Sequence, residues 1–395
     1  MAKANLLVAQ SGGPTAVINS TLAGVIHAAY RHGGAIDRVY GAVGAVEGIL
    51  AESFVDLTNL PADFLDRLRV TPGAALTSAR YKLQPGDVAR LLDVFARRNV
   101  RYFCYIGGND SMGTVAQLDR AAGDTGAALH VIGAPKTVDN DLAHTDHCPG
   151  YGSAARFIAM MIRDTGLDSA AGFRSTPVKI VEIMGRHTGW LTASAALARA
   201  GRPDAAPHLI YLPERPLTVE RFLDDVARVH EAHGYVVVAV SEGVRHPDGE
   251  YLFTTSRAHD AFGHRQLGGV SVMLAHEVQS ELGLKARFEK SDTLQRAFAH
   301  CASTVDRAEA FMVGQEAVRR AVAGESGVMV TLVRESDAPY RCATGAVDAA
   351  AVAGEEKRLP EACIAPNGVD VTAAFLDYAR PLIGEALPPY AYLPV

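Results

Sequence analysis

Asp139 and Asp141 stand two residues apart in the run Pro135-Lys136-Thr137-Val138-Asp139-Asn140-Asp141. Carboxylates at that spacing in a turn can divide labour, one taking a hydroxyl proton and the other holding a metal ion or a catalytic arginine. By itself an Asp-Asn-Asp run is also what an Asx turn capping a helix looks like; Lys136 and Thr137 beside it tilt the reading toward chemistry. Gly12-Gly13 and Gly107-Gly108 each lie between an apolar run and a helical pattern, where backbone N–H groups can cradle phosphate oxygens with no side chain in the way. One such turn is ordinary tight-turn chemistry, and two in one chain favour an anion site. Arg80, Arg186, Arg287 and Arg296 could clamp a sugar phosphate, although each alone resembles a solvated surface cation. Glu182, inside an apolar run, reads as a hydrogen-bonded core carboxylate. His147, His187 and His264 lack paired metal-ligand spacing, so zinc is not expected. Neither a G-x-S-x-G elbow nor a catalytic-cysteine context is present.

Short apolar runs alternating with amphipathic stretches supply the scaffold. Candidate buried strands are Asn5–Ala9, Arg101–Ile106, Leu129–Ala134, Val178–Ile183, Leu209–Leu212, Tyr235–Val240 and Val328–Leu332. Between them Val88, Leu91, Leu92 and Phe95 recur at helical spacing, as do Phe222, Val226 and Val229. The pattern predicts an α/β protein with doubly wound, mainly parallel sheets. Ligands bind beyond the carboxyl ends of such strands. That is where Ser11-Gly12-Gly13, Gly107-Gly108-Asn109-Asp110-Ser111, the Asp139 turn, Met184-Gly185-Arg186 and Ser241-Glu242-Gly243 fall. The stretches Arg245 to Glu250 and Arg334 to Pro360 read as insertions or surface connections.

The chain's 395 residues exceed what one core usually supports, so two lobes with a cleft are expected. With 48% hydrophobic and 21% charged residues the composition is that of a globular protein. A net charge of −6 offers no global basic field for nucleic acid or an anionic membrane, leaving anionic ligands to local arginines and lysines. No window reaches the roughly 18 apolar residues of a membrane span. The five cysteines are scattered and odd in number, as expected of reduced structural thiols in a cytoplasmic protein.

The turns Gly107-Gly108-Asn109-Asp110-Ser111, Pro135 to Asp141 and Met184-Gly185-Arg186 together resemble the markers of the phosphofructokinase family. The likeness runs from Gly12 to the Tyr378-Ala379-Arg380-Pro381-Leu382 tail. It implies two lobes with the active site between them. Residues 1–145 would form the donor lobe, completed by part of the C-terminal region; 146–330 would bind fructose 6-phosphate, and 331–395 would pack back on both. Asp139 matches the general base acting on the sugar 1-hydroxyl, and Asp141 the aspartate that supports it and the metal-bound phosphate. Thr137, Met184, Gly185, Arg186, Glu242, Thr293 and Arg296 match the sugar side. Arg287 matches an arginine reaching the 6-phosphate, in some members from a neighbouring subunit of a homodimer or homotetramer. Gly12, Gly13, Arg80, Gly107, Gly108 and Ser111 match the donor-phosphate side, and Mg²⁺ is the implied cofactor.

Two positions bear on the donor. Where ATP-dependent relatives carry glycines, this chain has Asp110 and Lys136. A carboxylate about 4 Å from the α-phosphate would repel it by roughly 4 kcal/mol at an effective dielectric near 20, about a thousandfold in affinity. Lys136 offers compensating charge to the transferring group. The resemblance therefore implies reversible transfer from pyrophosphate to fructose 6-phosphate, giving fructose 1,6-bisphosphate and phosphate. An ATP-dependent kinase and a silent sugar-phosphate-binding relative are the alternatives. His208 replaces a glutamate of the bacterial nucleotide effector site, implying no regulation of that kind. Asn109 replaces an aspartate that helps to place Mg²⁺, which leaves it a weak metal contact and shifts the expected reliance toward the pyrophosphate oxygens and Asp139 or Asp141. Thr293 replaces His or Tyr, and Pro177 an arginine, with Lys179 nearby as a candidate substitute.

Overall fold

The computed structural model describes residues 2–254 and 267–391; His264 lies outside them. Eleven strands among the described residues form two sheets. They are β1 (Ala4–Gln10), β2 (Ile36–Ala42), β3 (Phe54–Asp56), β4 (Val100–Gly107), β5 (His130–Pro135), β6 (Val178–Ile183), β7 (Leu209–Tyr211), β8 (Val236–Ser241), β9 (Ala286–Lys290), β10 (Val328–Asp337) and β11 (Tyr340–Asp348). The larger sheet runs β11-β10-β5-β4-β1-β2-β3, parallel except at its two edges, and the smaller runs β7-β8-β6-β9, parallel throughout.

Alternation along β1 shows why the larger sheet is covered on both faces. Leu6 and Val8 pack with the helices Ile18–Arg31 and Thr304–Val322, whereas Leu7 and Ala9 pack with Asp87–Arg97 and Asn109–Thr125. The first two helices meet backbone to backbone. A Cβ on Gly24 would lie 2.1 Å from the Phe311 carbonyl oxygen, and one on Gly314 would lie 2.0 Å from that of Thr21, so only glycine permits the crossing. In the smaller sheet, β6 divides its side chains likewise: Val181 and Ile183 face Ile158 and Trp190, while Val178 and Ile180 face Phe222 and Leu274. Glu182, on that strand, accepts hydrogen bonds from the N–H groups of Gly269 and Ser271 and from the Ser271 hydroxyl, so it is a satisfied core carboxylate.

The chain crosses to the second lobe after the Asp139 turn and returns near Ser303, since the helix Thr304–Val322, β10 and β11 all belong to the larger sheet's lobe. Arg334 to Pro360 is not a surface connection. It ends β10, forms β11, and then runs antiparallel to the Asp139 turn through a Leu142–Glu356 bridge. Arg245 to Glu250 is a surface turn, closed by the His246 N–H on the Glu250 carbonyl. The cysteines are unpaired, four of them buried. No described helix is long and apolar enough to cross a membrane.

Candidate active site

Strand order places the chemistry. In the larger sheet the chain leaves β1 toward β2 on one side while β4 and β5 lie on the other, which opens a crevice at the carboxyl ends of β1 and β4. Gly12-Gly13 follows β1 and Gly107-Gly108 closes β4 and precedes the helix Asn109–Thr125, so both glycine turns face that crevice. Lys136 follows β5. The carboxyl ends of β6 and β8 bring Met184-Gly185-Arg186 and Glu242 to the opposite wall, and the cleft between the walls has a volume of about 460 Å³.

On the donor wall the cleft is lined by Gly12, Gly13, Arg80, Gly108, Asn109, Asp110 and Ser111; Lys136, Thr137, Asp139 and Asp141 form its floor. Met184, Arg186, Glu242 and Arg296 line the other side. A second cavity of about 350 Å³ adjoins it beneath Arg80 and Arg296, edged by Thr77 and Ser78. Four expected residues do not line the cleft. Gly107 lies behind Ser111, where a Cβ would sit 2.0 Å from the hydroxyl oxygen. Gly185 holds φ +140, and a Cβ there would strike the Thr188 carbonyl oxygen at 2.7 Å, which makes it the hinge that aims Arg186. Arg287 on β9 and Thr293 at the start of the helix Leu294–Ala297 are both exposed on the protein's outside. Lys179 is paired with Glu289 at 2.9 Å and does not line the cleft.

Charge in the cleft is held against solvation. Lys136 is only 4% exposed, and its ammonium nitrogen lies 3.0 Å from where a Cβ on Gly12 would be, so the donor turn and the lysine are in contact. Burial pushes the Lys136 ammonium down to about 8, with the Asp139 carboxylate opposing the shift. Burial raises Asp139 even though Lys136 and Arg186 favour its anion. Asp141 is pushed up to about 7 by burial and by the Asp139 charge, and Glu242 likewise to about 7. These are the poised carboxylates that proton transfer near neutrality needs.

The Asn109 side chain has structural partners. Its amide nitrogen donates to the Val352 and Glu355 carbonyls, and its Oδ1 accepts from the Gly354 N–H at 2.6 Å. The segment 354–357, unnoticed in the sequence, thereby joins the site. The Lys357 N–H donates to the Asp141 carbonyl at 2.7 Å, and the Glu356 carboxylate reaches His187 across the cleft. Gly354-Glu355-Glu356-Lys357 looks like a solvated charged turn, and only its pairing with Asp141 and Leu142 reveals it. Ser11, Thr15, Val138, His187 and Thr188 also line the cleft and flank motifs already noted.

Outside the cleft, His147, Glu309 and Cys342 gather within reach of a common ion. His147 is hydrogen-bonded to Asp146 and Glu309 through its two nitrogens, at 2.8 and 2.7 Å, and Glu309 also accepts from Tyr340. Burial pushes the Cys342 thiol up to about 12. His147, Asp146, Glu309 and Tyr340 are thus joined in a buried hydrogen-bond network with Cys342 beside it.

Comparison with known proteins points to one family. The family model described as "Phosphofructokinase" matches residues 5–321. A pyrophosphate–fructose 6-phosphate 1-phosphotransferase of Xanthomonas campestris is 44% identical over 399 residues, covering 99% of this chain and 94% of the relative. A protein of the same name from Methylococcus capsulatus is 40% identical with the same coverage, 99% and 94%. The crystal structure of a pyrophosphate-dependent phosphofructokinase from Marinobacter aquaeolei superposes with a TM-score of 0.88 at 38% identity, covering 98% of this chain and 94% of that one.

Proposed function

The chain belongs to the phosphofructokinase family, and we propose that it transfers a phosphoryl group reversibly between pyrophosphate and the 1-hydroxyl of fructose 6-phosphate, yielding fructose 1,6-bisphosphate and phosphate. The observation that carries this reading is the buried Lys136 ammonium, set against the donor turn at Gly12 and within the field of the Asp139 carboxylate. A compact cation there suits a small inorganic anion and the charge that develops as its phosphoryl group departs.

Asp139 takes the proton of the 1-hydroxyl as that oxygen attacks phosphorus; in reverse, it returns the proton to the leaving oxygen. Arg186 and Arg296 neutralise the phosphates across the cleft, while the N–H groups of the glycine turns receive the non-transferred oxygens. Thr137, Met184, Gly185 and Glu242 shape the sugar side. Asp139 and Asp141, oxygen donors whose pKa values are both raised, suit a hard divalent cation, and we assign Mg²⁺ to one of them. Held there, such an ion would supply positive charge to offset that of the pyrophosphate. Asn109, its Oδ1 occupied by Gly354, then orders the wall and leaves the metal to the carboxylates.

A homodimer or homotetramer in the cytoplasm follows from the same reading, with Arg287 free to serve a neighbouring copy. His208 accepts the Val237 N–H at 3.0 Å and packs beside His233, and burial pushes it down to about 4. A neutral, engaged imidazole supports the proposed lack of nucleotide regulation.

An aldolase-coupled assay with Mg²⁺ and fructose 6-phosphate, comparing pyrophosphate with ATP at equal concentration, tests the function. Turnover with pyrophosphate is expected; turnover with ATP alone would overturn the reading. The pH profile tests Lys136. Its charge is fully present well below pH 8 and is lost as pH rises through about 8, so kcat/KM for pyrophosphate should fall on the alkaline side there. Lys136→Arg, whose guanidinium stays charged, should move that limb up by about a pH unit or more in whatever activity remains. A limb that does not move belongs to another group.

A further inference from the structure

We propose that Tyr378 is a positioning residue for phosphoryl transfer, fixing the Asp139-Asn140-Asp141 turn through the side-chain amide of Asn140. The inference rests on the phosphotransferase reading above and concerns a residue that never touches substrate.

Asn140 is fully buried and holds φ +58, the left-handed region, with Asp139 on one side and Asp141 on the other. An asparagine tolerates that conformation when its side chain is locally bonded, and here both ends of the amide are used. Oδ1 accepts the Cys148 N–H at 3.0 Å, and Nδ2 donates to the Tyr378 hydroxyl at 2.9 Å. Rotating the amide by half a turn would set Nδ2 against an N–H donor, so the orientation is fixed by the bonds themselves. The Tyr378 hydroxyl donates in turn to the Asp146 carbonyl at 2.7 Å. One phenol oxygen thus ties the turn to the chain six residues beyond it.

The phenol is itself held. Its ring packs against Trp190 at 5.1 Å between centroids and lies under the Arg334 guanidinium at 4.6 Å. Arg334 also donates to the Tyr378 carbonyl at 3.1 Å and to the Asp146 carboxylate. Trp190 follows the Met184-Gly185-Arg186 loop and donates from its indole to the Lys357 carbonyl at 2.9 Å. Lys357 closes the circuit, giving its N–H to Asp141 and its ammonium to the carbonyls of Thr145 and Asp146. Elements from both lobes and from the C-terminal segment therefore converge behind the carboxylates, and Tyr378 is the member that reaches the residue between them. Burial keeps the phenol protonated far above neutrality, so this tie persists over the working pH range.

Tyr378→Phe keeps the ring and its packing while deleting the hydroxyl. A buried amide loses its acceptor, and the turn can relax by the fraction of an ångström that matters at a reacting centre. With pyrophosphate and fructose 6-phosphate saturating, kcat should fall by about tenfold to a hundredfold while both KM values stay within about threefold. Asn140→Gly retains the left-handed backbone and deletes the amide, and should produce a similar loss. Acting through one connection, the two substitutions combined should cost little more than the worse of them. A Tyr378→Phe enzyme whose kcat stays within about twofold of wild type while its melting temperature drops would make the hydroxyl a structural tie only and overturn the proposal, as would multiplicative losses in the double variant. The wild-type rate is measured alongside, so failure of the phosphotransferase reading would show in the wild type itself, and failure of the positioning role only in the variants.

Discussion

Asp139→Ser is expected to bind both substrates and to turn over ~10²- to 10⁴-fold more slowly, the loss typical of a removed general base. Serine has no group that takes a proton near neutral pH. The carboxylate it replaces is tuned for that task from two directions: burial raises its pKa, and Lys136 and Arg186 keep the anion accessible. Binding should survive because the phosphate clamps are carried by other residues, chiefly Arg186 and Arg296. The substitution has a second consequence for the neighbours. Asp139 is one of the groups that holds Asp141 and Glu242 up near 7, so its removal lowers both, and any residual activity should have its acidic limb moved to lower pH. Steady-state kinetics with calorimetric titration of fructose 6-phosphate measures each part. A kcat within tenfold of wild type would transfer the base role to Asp141 or Glu242. Forward and reverse kinetic constants, taken over both substrates of each direction, must still give the wild-type equilibrium constant, and this serves as the internal control.

What made Asp139 legible in the sequence was its place at the end of a strand that is buried on both faces. β1, β4, β5, β6 and β8 read as continuous apolar runs because helices cover both sides of the sheets, and the turns beyond their carboxyl ends stand out against that background. The strands that escaped notice lack the contrast. β9 runs Ala-Arg-Phe-Glu-Lys with four of five residues exposed, and it is a strand because it pairs with β6, not because its residues demand it. β2 buries Ile36 and Val39 but exposes Asp37 and Arg38, an alternation too weak to read alone. β11 is an edge strand with polar residues on its open side, so the stretch after Arg334 passed for a connection. The site divides in the same way. Residues that meet the ligand sit in local motifs, whereas those that hold the motifs in place come from far along the chain. Tyr378 is 238 positions from Asn140, and nothing local in either residue announces the other. Glu356 and Lys357 are two charges in a run of four until their backbone is paired with Leu142 and Asp141. Arg287 and Thr293 illustrate the converse: the motif was found, but in the isolated chain both residues are exposed and neither lines the cleft.

Asp110→Gly is expected to raise affinity for ATP by up to about a thousandfold, the factor that corresponds to removing a like charge roughly 4 Å from a phosphate at an effective dielectric near 20. The geometry sharpens this. Asp110 lies in the first turn of the helix Asn109–Thr125, where free N–H groups and the helix dipole would otherwise favour an anion. In the wild type Asp110 itself places a carboxylate in that first turn, lining the donor wall. Lys136 acts differently. Buried against Gly12, its ammonium occupies the volume that a glycine would leave open, so Asp110→Gly alone relieves repulsion without making room and realises only part of that thousandfold. Lys136→Gly alone should cost pyrophosphate turnover about 10²- to 10³-fold, as loss of a preorganised charge at the transferring group does, and should gain nothing with ATP while Asp110 remains. Only the double variant combines relief of charge with space, and its ATP affinity should exceed the product of the single effects. Calorimetric titration with MgATP, together with turnover on both donors, distinguishes these outcomes. An ATP affinity unchanged in the double variant would move the exclusion to the Gly354–Glu356 wall, whose backbone is pinned by Asn109 and would still narrow the donor side.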